Sequence, residues 1–330
     1  MSESGDYSPG DHWAGHDFGS ARRVYEDHSK RSYADAESKG TKASDLVPER
    51  ITTESSCPLI IVCDVTGSMG GWPETMFSKL PYMEHEGRTE YLGPDMEIAW
   101  AAVGDAQCGD TYPLQVRPFV REAALKTELE NLVIEKDGKG DQAESYELGA
   151  LYLARNADTP RATRKKPICI FIGDEEPHKS VSVEWARKAH VALQAAMTTE
   201  AIFAELKAKF AVYYIRKPYG SNPSGQSMDG TNRRMRDRWI QLLGEDHVAE
   251  LADPGRVVDV IFGILAQEAD RVDYFREEIE GRQTHEQVAT VYESLRTIHR
   301  KKAAASAPSG KSRLHNDEDD DGGTDAGRLD

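Results

Sequence analysis

Residues 58–70 read PLIIVCDVTGSMG, an apolar run that ends in an aspartate, two hydroxyl residues and two glycines. Short apolar runs without alternation are typical of strands that are buried on both faces, as in parallel sheets. We therefore predict that residues 58–63 form a buried strand. The polar residues after it are then expected at the carboxyl edge of a sheet.

Four further runs of the same kind follow along the chain. They cover residues 98–103, 168–172, 210–215 and 248–251. The segments between them are long enough for the crossover helices that parallel strands require. The sequence therefore predicts an α/β fold built on a mostly parallel sheet.

Residues 114–120 have a different character from these runs. Pro118 lies within the stretch and Pro113 precedes it. Because proline has no N–H to donate, it is tolerated in a sheet only at an edge or a bulge. This stretch is therefore predicted to be an antiparallel edge strand.

Apolar residues at helical spacing mark the predicted helices. Residues 20–38 are expected to form a short N-terminal helix with Tyr25 and Tyr33 as its apolar anchors. The other predicted helices cover residues 122–134, 144–155, 184–195, 199–209, 233–243 and, as one or two terminal helices, 257–301.

Composition divides the chain into four parts. Residues 1–50 are predicted to be a polar and partly disordered N-terminal arm, and residues 51–265 the α/β domain. Residues 266–302 then form a helical C-terminal extension, and residues 303–330 a disordered acidic tail. Segments of low hydrophobicity and high charge cannot bury enough apolar surface to fold alone.

The charge of the chain argues against two classes of partner. The formal net charge is −16, whereas binding to a phosphate backbone depends on lysine and arginine. Nucleic acid and anionic membrane surfaces are therefore unfavourable partners. No apolar stretch approaches the roughly 20 residues of a membrane-spanning helix.

The chain ends and the cysteines indicate the compartment. Residues 1–17 are polar and acidic, without the apolar core of a secretion signal. The four cysteines are Cys57, Cys63, Cys108 and Cys169. They form no CxxC motif, and the second and fourth lie within apolar runs. We expect a cytoplasmic protein.

Acids and hydroxyls stand where the predicted strands end. Asp64, Thr66 and Ser68 follow the first run, Asp174 follows the third, and Asp141 lies in a glycine-rich loop before a predicted helix. Carboxyl ends of parallel strands meet at one edge, where ligands bind in open α/β sheets. Oxygen donors suit a hard cation such as Mg²⁺. The sequence therefore predicts a divalent-cation site here.

The pattern Asp64-x-Thr66-x-Ser68 resembles the DxTxS signature of von Willebrand factor type A domains, which forms their metal-ion-dependent adhesion site. The resemblance covers roughly residues 57–265. It implies a Rossmann-like, doubly wound sheet, mostly parallel with one antiparallel edge strand, and helices on both faces. The family's later aspartate maps to Asp174.

One position departs from that family's pattern. The middle metal ligand of the family is commonly a threonine in a glycine-rich loop, and no threonine stands in residues 138–145. Asp141 is the best match for this ligand. The remaining candidates, as indirect or alternative ligands, are Glu144, Ser145, Glu175 and His178.

By this resemblance we expect a non-enzymatic, divalent-cation-dependent protein-binding module of a bacterial cell or a phage-infected host. The bound ion would be Mg²⁺, with Ca²⁺ or Mn²⁺ as alternatives. It would capture an exposed aspartate or glutamate of a partner protein. A MoxR-type AAA+ ATPase is a further partner that the resemblance implies.

Two other classes of function stay open. The first is a metal-dependent hydrolase or phosphoryl-transfer enzyme that uses the same acidic strand ends; the second is an assembly component coupled to an AAA+ ATPase. A phosphatase with an aspartate nucleophile at position 64 would want a second acid at position 66, where Thr66 stands. A GxSxG elbow around Ser68 would need glycine at the same position. We therefore expect no catalytic residues.

Overall fold

The computed structural model describes most of the chain up to residue 299. Its described residues are Trp13, 16–66, Met69, 72–135, 142–163, 165–219, 227–251 and 253–299. Two predicted metal ligands, Ser68 and Asp141, lie outside the described residues. The predicted acidic tail, residues 303–330, lies outside them as well.

A six-stranded sheet forms the centre of the fold. Its strands are β1 (Leu59–Asp64), β2 (Ile98–Val103), β3 (Leu114–Val116), β4 (Ile168–Gly173), β5 (Ala211–Arg216) and β6 (Val248–Glu250). They lie in the order β6-β5-β4-β1-β2-β3. All neighbours are parallel except β2 and β3. This confirms the predicted doubly wound, mostly parallel sheet with one antiparallel edge strand.

The strand bounds follow the apolar runs closely. Each of the five parallel strands begins and ends within one residue of its predicted bounds. The antiparallel strand is shorter than predicted, since it ends at Val116 and only an isolated bridge joins Val120 to Ile98. Pro118 explains the gap, because it has no backbone N–H with which to continue the ladder.

Helices surround this sheet. They are α1 (Phe18–Ser38), α2 (Trp72–Ser78), α3 (Leu80–Glu86), α4 (Ala124–Glu130), α5 (Tyr146–Asn156), α6 (Val183–Lys188), α7 (Thr199–Lys209), α8 (Asp229–Leu243), α9 (Val257–Ala269), α10 (Val272–Arg282) and α11 (His285–Ser294). Among the described residues, no helix is both long and apolar enough to cross a bilayer.

Several helices are shorter than predicted, and residues in the left-handed backbone conformation lie next to their ends. Glu122 has a φ of 55°, and α4 begins only after it. His190 has a φ of 56°, two residues after the end of α6. Asp270, with a φ of 57°, ends α9 and separates it from α10. L-residues adopt this conformation as single residues and not within helices, so it interrupts the helical path.

Alternate residues of the central strands feed two separate cores. Leu59, Ile61 and Cys63 of β1 pack in the core that includes α2, α3 and α9. Ile60 and Val62 pack in the core that includes α5, α7 and α8. Burial on both faces explains why the strands read as continuous apolar runs. It also confirms the predicted helices on both faces.

The N-terminal helix is longer than predicted and is packed against the domain. Tyr25 of α1 is 1% exposed, and its ring lies 4.7 Å from that of Phe77 in α2. Its hydroxyl donates to the Leu129 carbonyl of α4 at 3.4 Å. Tyr33 contacts the Tyr112 ring, with 5.8 Å between centroids. Both predicted anchors therefore hold α1 in place.

Candidate metal centre

Asp64 ends β1 at the carboxyl edge of the sheet and is completely buried. Its Oδ1 accepts a hydrogen bond from the backbone N–H of Thr66 at 2.9 Å and another from the Thr66 hydroxyl at 2.7 Å. A short polar side chain that binds the backbone two residues on forms a tight turn. The turn places a carboxylate and a hydroxyl oxygen side by side, as the DxT pattern predicted.

Asp174 follows β4, which pairs directly with β1. Cys63 is paired with Ile172 in that ladder, so both aspartates lie at the same edge. Asp174 is also completely buried. Burial, together with the negative charge of Asp174, raises the pKa of Asp64 well above its ordinary value. The structure therefore brings together the two aspartates on which the sequence prediction depends.

These two strands enclose the switch point of the sheet. From β1 the chain winds outward through β2 and β3, and it returns to β4 on the other side of β1. Ligands of open α/β sheets bind at such a point, because the loops on either side diverge and leave a crevice. Asp64 and Asp174 flank this crevice.

Tyr146 is a contributor that the sequence prediction missed. It is the first residue of α5, is fully buried, and donates its hydroxyl to Asp64 Oδ2 at 2.9 Å. The hydroxyl passes over Gly173, where a Cβ atom would lie only 1.7 Å from its oxygen. The sequence signal for this contact was Gly173, immediately before Asp174, because only glycine lets a side chain approach the backbone this closely.

Glu144 is drawn to the same edge by a two-residue ladder. Ala143–Glu144 pairs in parallel with Glu176–Pro177, so the loop before α5 lies beside the loop after β4. Glu144 is 2% exposed, and its Oε2 has no hydrogen-bond partner in the described part of the chain. Burial, followed by the charges of Asp64 and Glu175, raises the pKa of Glu144. The pKa of about 11 means that the Glu144 carboxyl keeps its proton near neutral pH, because the buried site does not tolerate a further negative charge.

Of the other candidates, His178 and Ser145 belong to a neighbouring cluster. His178 Nε2 lies 2.8 Å from Asp105 Oδ1, and its backbone N–H donates to Glu147 Oε2 at 3.0 Å. The Ser145 hydroxyl oxygen accepts from the Ala106 N–H at 3.0 Å. These contacts join the loops after β2 and β4 to the start of α5. In them His178 contacts Asp105 and Ser145 contacts Ala106, rather than Asp64 or Asp174.

The two acids of this neighbouring cluster differ from each other, since the pKa of Asp105 is lowered whereas that of Glu147 is raised, as is that of Asp64. Burial works against the charge of Asp105, but hydrogen bonds from His178 and Cys108 hold its pKa at about 2. Burial raises the pKa of Glu147 to about 7. Asp105 accepts two further backbone hydrogen bonds, from Gln107 at 2.8 Å and Cys108 at 3.1 Å. The protein thus supplies three donors to Oδ1, while the buried Oδ2 has no hydrogen-bond partner among the described residues.

The last candidate, Glu175, lies beside the crevice and anchors α8. Its Oε1 accepts from the Tyr219 hydroxyl at 2.8 Å. Its carbonyl accepts from Trp239 Nε1 at 2.8 Å and from the Tyr214 hydroxyl at 3.0 Å. The Tyr214 and Trp239 rings stack at 3.8 Å between centroids. Contacts from both its side chain and its backbone hold this residue.

The donor chemistry of the site fits a hard cation. Asp64, Thr66 and Asp174 offer oxygen atoms only, which is the preference of Mg²⁺ and Ca²⁺. Within the described residues, no group of three or more His, Cys, Asp and Glu side chains is arranged to hold a metal. Protein ligands beyond the two aspartates would therefore be hydroxyls such as that of Thr66, or the predicted ligands outside the described residues.

Comparison with known proteins adds little to this picture. No family model matches the chain. No curated protein matches its sequence.

Solved structures offer distant likenesses. The pilus adhesin SpaC from Lactobacillus rhamnosus GG is 10% identical, with a TM-score of 0.43 over 69% of this chain and 32% of the adhesin. Its open conformation gives a TM-score of 0.41. The proximal thread matrix protein 1 of the mussel byssus is 12% identical, with a TM-score of 0.40 over 68% of this chain and 47% of that protein. The chain thus spans about a third of the adhesin and about half of the matrix protein.

Proposed function

We propose that this protein binds a divalent cation, Mg²⁺ in the first place, at the carboxyl edge of β1 and β4, and uses it to capture an acidic residue of a partner protein. Asp64, Thr66 and Asp174 would hold the ion, and Ser68 and Asp141 are the further ligands that the sequence predicts. When bound, the ion supplies a positive charge that attracts a carboxylate of the partner.

One observation carries this proposal. Asp64 and Asp174 are completely buried next to each other at the switch point, and the charge of one raises the pKa of the other. Burying an ion costs on the order of several kcal/mol in real proteins, and repulsion between two like charges adds to this cost. A bound cation would turn this repulsion into attraction, which gives the arrangement a physical reason.

The chain's own residues would prepare the site. Tyr146 donates to Asp64 Oδ2 and Thr66 to Oδ1, so the carboxylate is held in one orientation before an ion arrives. Glu144 lies nearby with a pKa raised to about 11, so it would add negative charge only when a bound cation displaces its proton. In that state it would partly neutralise the ion, so binding of the partner's carboxylate would be weaker than binding of the ion.

The test is titration of the whole protein with Mg²⁺ in a calorimeter. The parent is expected to bind, and Asp64→Asn is expected to lose binding, because the amide keeps the shape but removes the charge. Asp158→Asn is the matched control; it removes one carboxylate beyond the far end of α5 and should bind like the parent. Equal Mg²⁺ affinity of Asp64→Asn and the parent would contradict the site.

Partner capture has its own test. Proteins retained by the immobilised parent with Mg²⁺ should be released by EDTA, and immobilised Asp64→Asn should not retain them. Retention that survives EDTA would mean that the ion does not mediate the contact.

A further inference from the structure

A lysine stands beside the buried aspartates. Lys217 follows β5, and its Nζ lies 3.7 Å from Asp174 Oδ2. Its backbone N–H donates to the Gly173 carbonyl at 2.8 Å, which fixes its Cα next to the end of β4. The lysine side chain is 27% exposed, whereas Asp174 is completely buried. A partly exposed lysine is thus paired with a fully buried carboxylate.

The preceding residue shows what a permanent ion pair looks like in this protein. Arg216 is 1% exposed, and it donates to Glu250 Oε1 at 2.8 Å and to Asn232 Oδ1 at 3.0 Å. The ammonium of Lys217 is beyond hydrogen-bond distance of Asp174 Oδ2, and the lysine side chain is partly exposed. A lysine also has a flexible four-carbon stem, unlike the planar arginine fork. Arg216 is therefore a fixed pair, whereas the ion pair of Lys217 with Asp174 is longer than a hydrogen bond.

We propose that Lys217 is a built-in counter-ion of Asp174 that a divalent cation must displace, so that the affinity of the site is set by competition between the two. This inference rests on the proposed metal site. Without the ion, the ammonium partly neutralises the buried carboxylates. With the ion bound, the ammonium and the ion repel each other, and the flexible stem carries the ammonium toward solvent.

The direction of the expected change in Mg²⁺ affinity follows from the charges. Removing the ammonium while keeping the stem takes away a positive charge that opposes the cation at close range, so affinity for the cation rises. Near a protein surface, charges this close change binding affinity strongly, and solvent around a partly exposed group reduces the effect. We therefore expect Mg²⁺ to bind Lys217→Met at least about tenfold more tightly than the parent.

Two control variants separate the effect of the charge at position 217 from the effect of the net charge of the protein. Lys217→Arg keeps the charge and should bind Mg²⁺ within about threefold of the parent. Lys188→Met removes the same charge from the exposed face of α6, where the lysine pairs with Glu184 at 3.0 Å. It should leave Mg²⁺ affinity within about twofold of the parent.

Thermal unfolding provides a second readout. Without Mg²⁺, Lys217→Met should melt below the parent, since the aspartates lose their counter-ion. With saturating Mg²⁺ the two should melt at nearly the same temperature. A variant that has simply lost packing would melt lower under both conditions, which would overturn the counter-ion role.

The outcomes distinguish this inference from the proposed function. If the parent binds Mg²⁺ through Asp64 but Lys217→Met binds no more tightly, the competition is refuted and the metal site stands. If neither protein binds Mg²⁺ although both are folded, the proposed function fails and this inference fails with it.

Discussion

Two groups of buried acids lie at the same edge of the sheet, and they are satisfied in opposite ways. Asp105 is surrounded by donors from His178 and from backbone N–H groups, and its pKa is held low. Asp64 faces a second buried aspartate, Asp174, and its pKa is raised. All three aspartates have no solvent-exposed surface, but Asp64 lies deeper in the protein than Asp105, so depth of burial and hydrogen bonding both contribute to the difference in pKa.

The comparison teaches where an external charge is needed. A buried carboxylate that receives several hydrogen bonds is stabilised as an anion. Two adjacent buried carboxylates repel each other. They are stabilised when one of them is protonated, or when a lysine or a bound cation lies beside them. The first group therefore serves the structure, while the second has the electrostatics of a ligand site. Replacing members of each group tests whether this division is real.

The largest effect is expected from Gly173→Ala. The added Cβ would meet the Tyr146 hydroxyl at 1.7 Å and ring carbon Cζ at 2.6 Å, both of which are buried. We expect the free energy of unfolding to fall by more than about 3 kcal/mol, since overpacking a rigid core forces side chains and backbone to move. Urea unfolding measures this loss.

A second substitution isolates the cause. In a Tyr146→Ala background the same glycine change should cost far less, because the clashing ring is gone. An equal cost in both backgrounds would show that the strain comes from the backbone and that the tyrosine is irrelevant to it.

The next effect is expected from Asp105→Asn. The amide keeps the shape but weakens the bonds from His178, Gln107 and Cys108, and we expect a loss of about 2 kcal/mol in the free energy of unfolding. Mg²⁺ binding should persist in this variant. Loss of Mg²⁺ binding with a folded chain would mean that the two acid groups are one site.

Acid titration sharpens the same comparison. The pKa of Asp105 is about 2 in the folded protein and near 3.8 in an ordinary aspartate. Because the folded state binds the proton less readily, Asp105 contributes stability above about pH 4 that is lost as the pH falls toward 2. The parent should lose about 2 kcal/mol more than Asp105→Asn over this interval in acid-unfolding experiments.

The smallest effect has the opposite sign. Without divalent ions, Asp174→Asn removes one of two repelling charges and should stabilise the protein by about 1 kcal/mol. The same variant should show no thermal stabilisation by Mg²⁺, which the parent should show. Destabilisation of the ion-free variant would indicate that Lys217 and other donors already satisfy Asp174, and the contrast with Asp105 would disappear.

Much of the fold could be predicted because the strands are buried on both faces. Such strands are continuous apolar runs, and five of them were located to within one residue. Helix ends were harder, since they depend on left-handed residues such as His190 and Asp270, which do not differ in type from ordinary helix residues. The break before the third terminal helix has another cause, since Gln283 and Thr284 are extended and the Thr284 side chain caps α11.

The site was predictable in part. Asp64, Thr66 and Asp174 follow buried strands, so the shared edge could be inferred from chain order alone. The pairing of His178 with Asp105 could not, because it joins two loops 73 residues apart through a side-chain hydrogen bond. Tyr146 and Gly173 were missed because their contact is a matter of packing at close range, which no spacing rule describes.

The N-terminal helix has a consequence for how the chain can be divided. The ring of Phe77 in α2, just after the loop that follows β1, is covered by Tyr25 and lies 5.8 Å from the His16 ring. His16 Nε2 also lies 3.0 Å from the Ser78 carbonyl at the end of α2. A fragment that starts at residue 51 would open this apolar surface to water. We therefore expect the smallest stable fragment of the protein to include α1, which lies in the segment predicted from composition to be a polar and partly disordered arm.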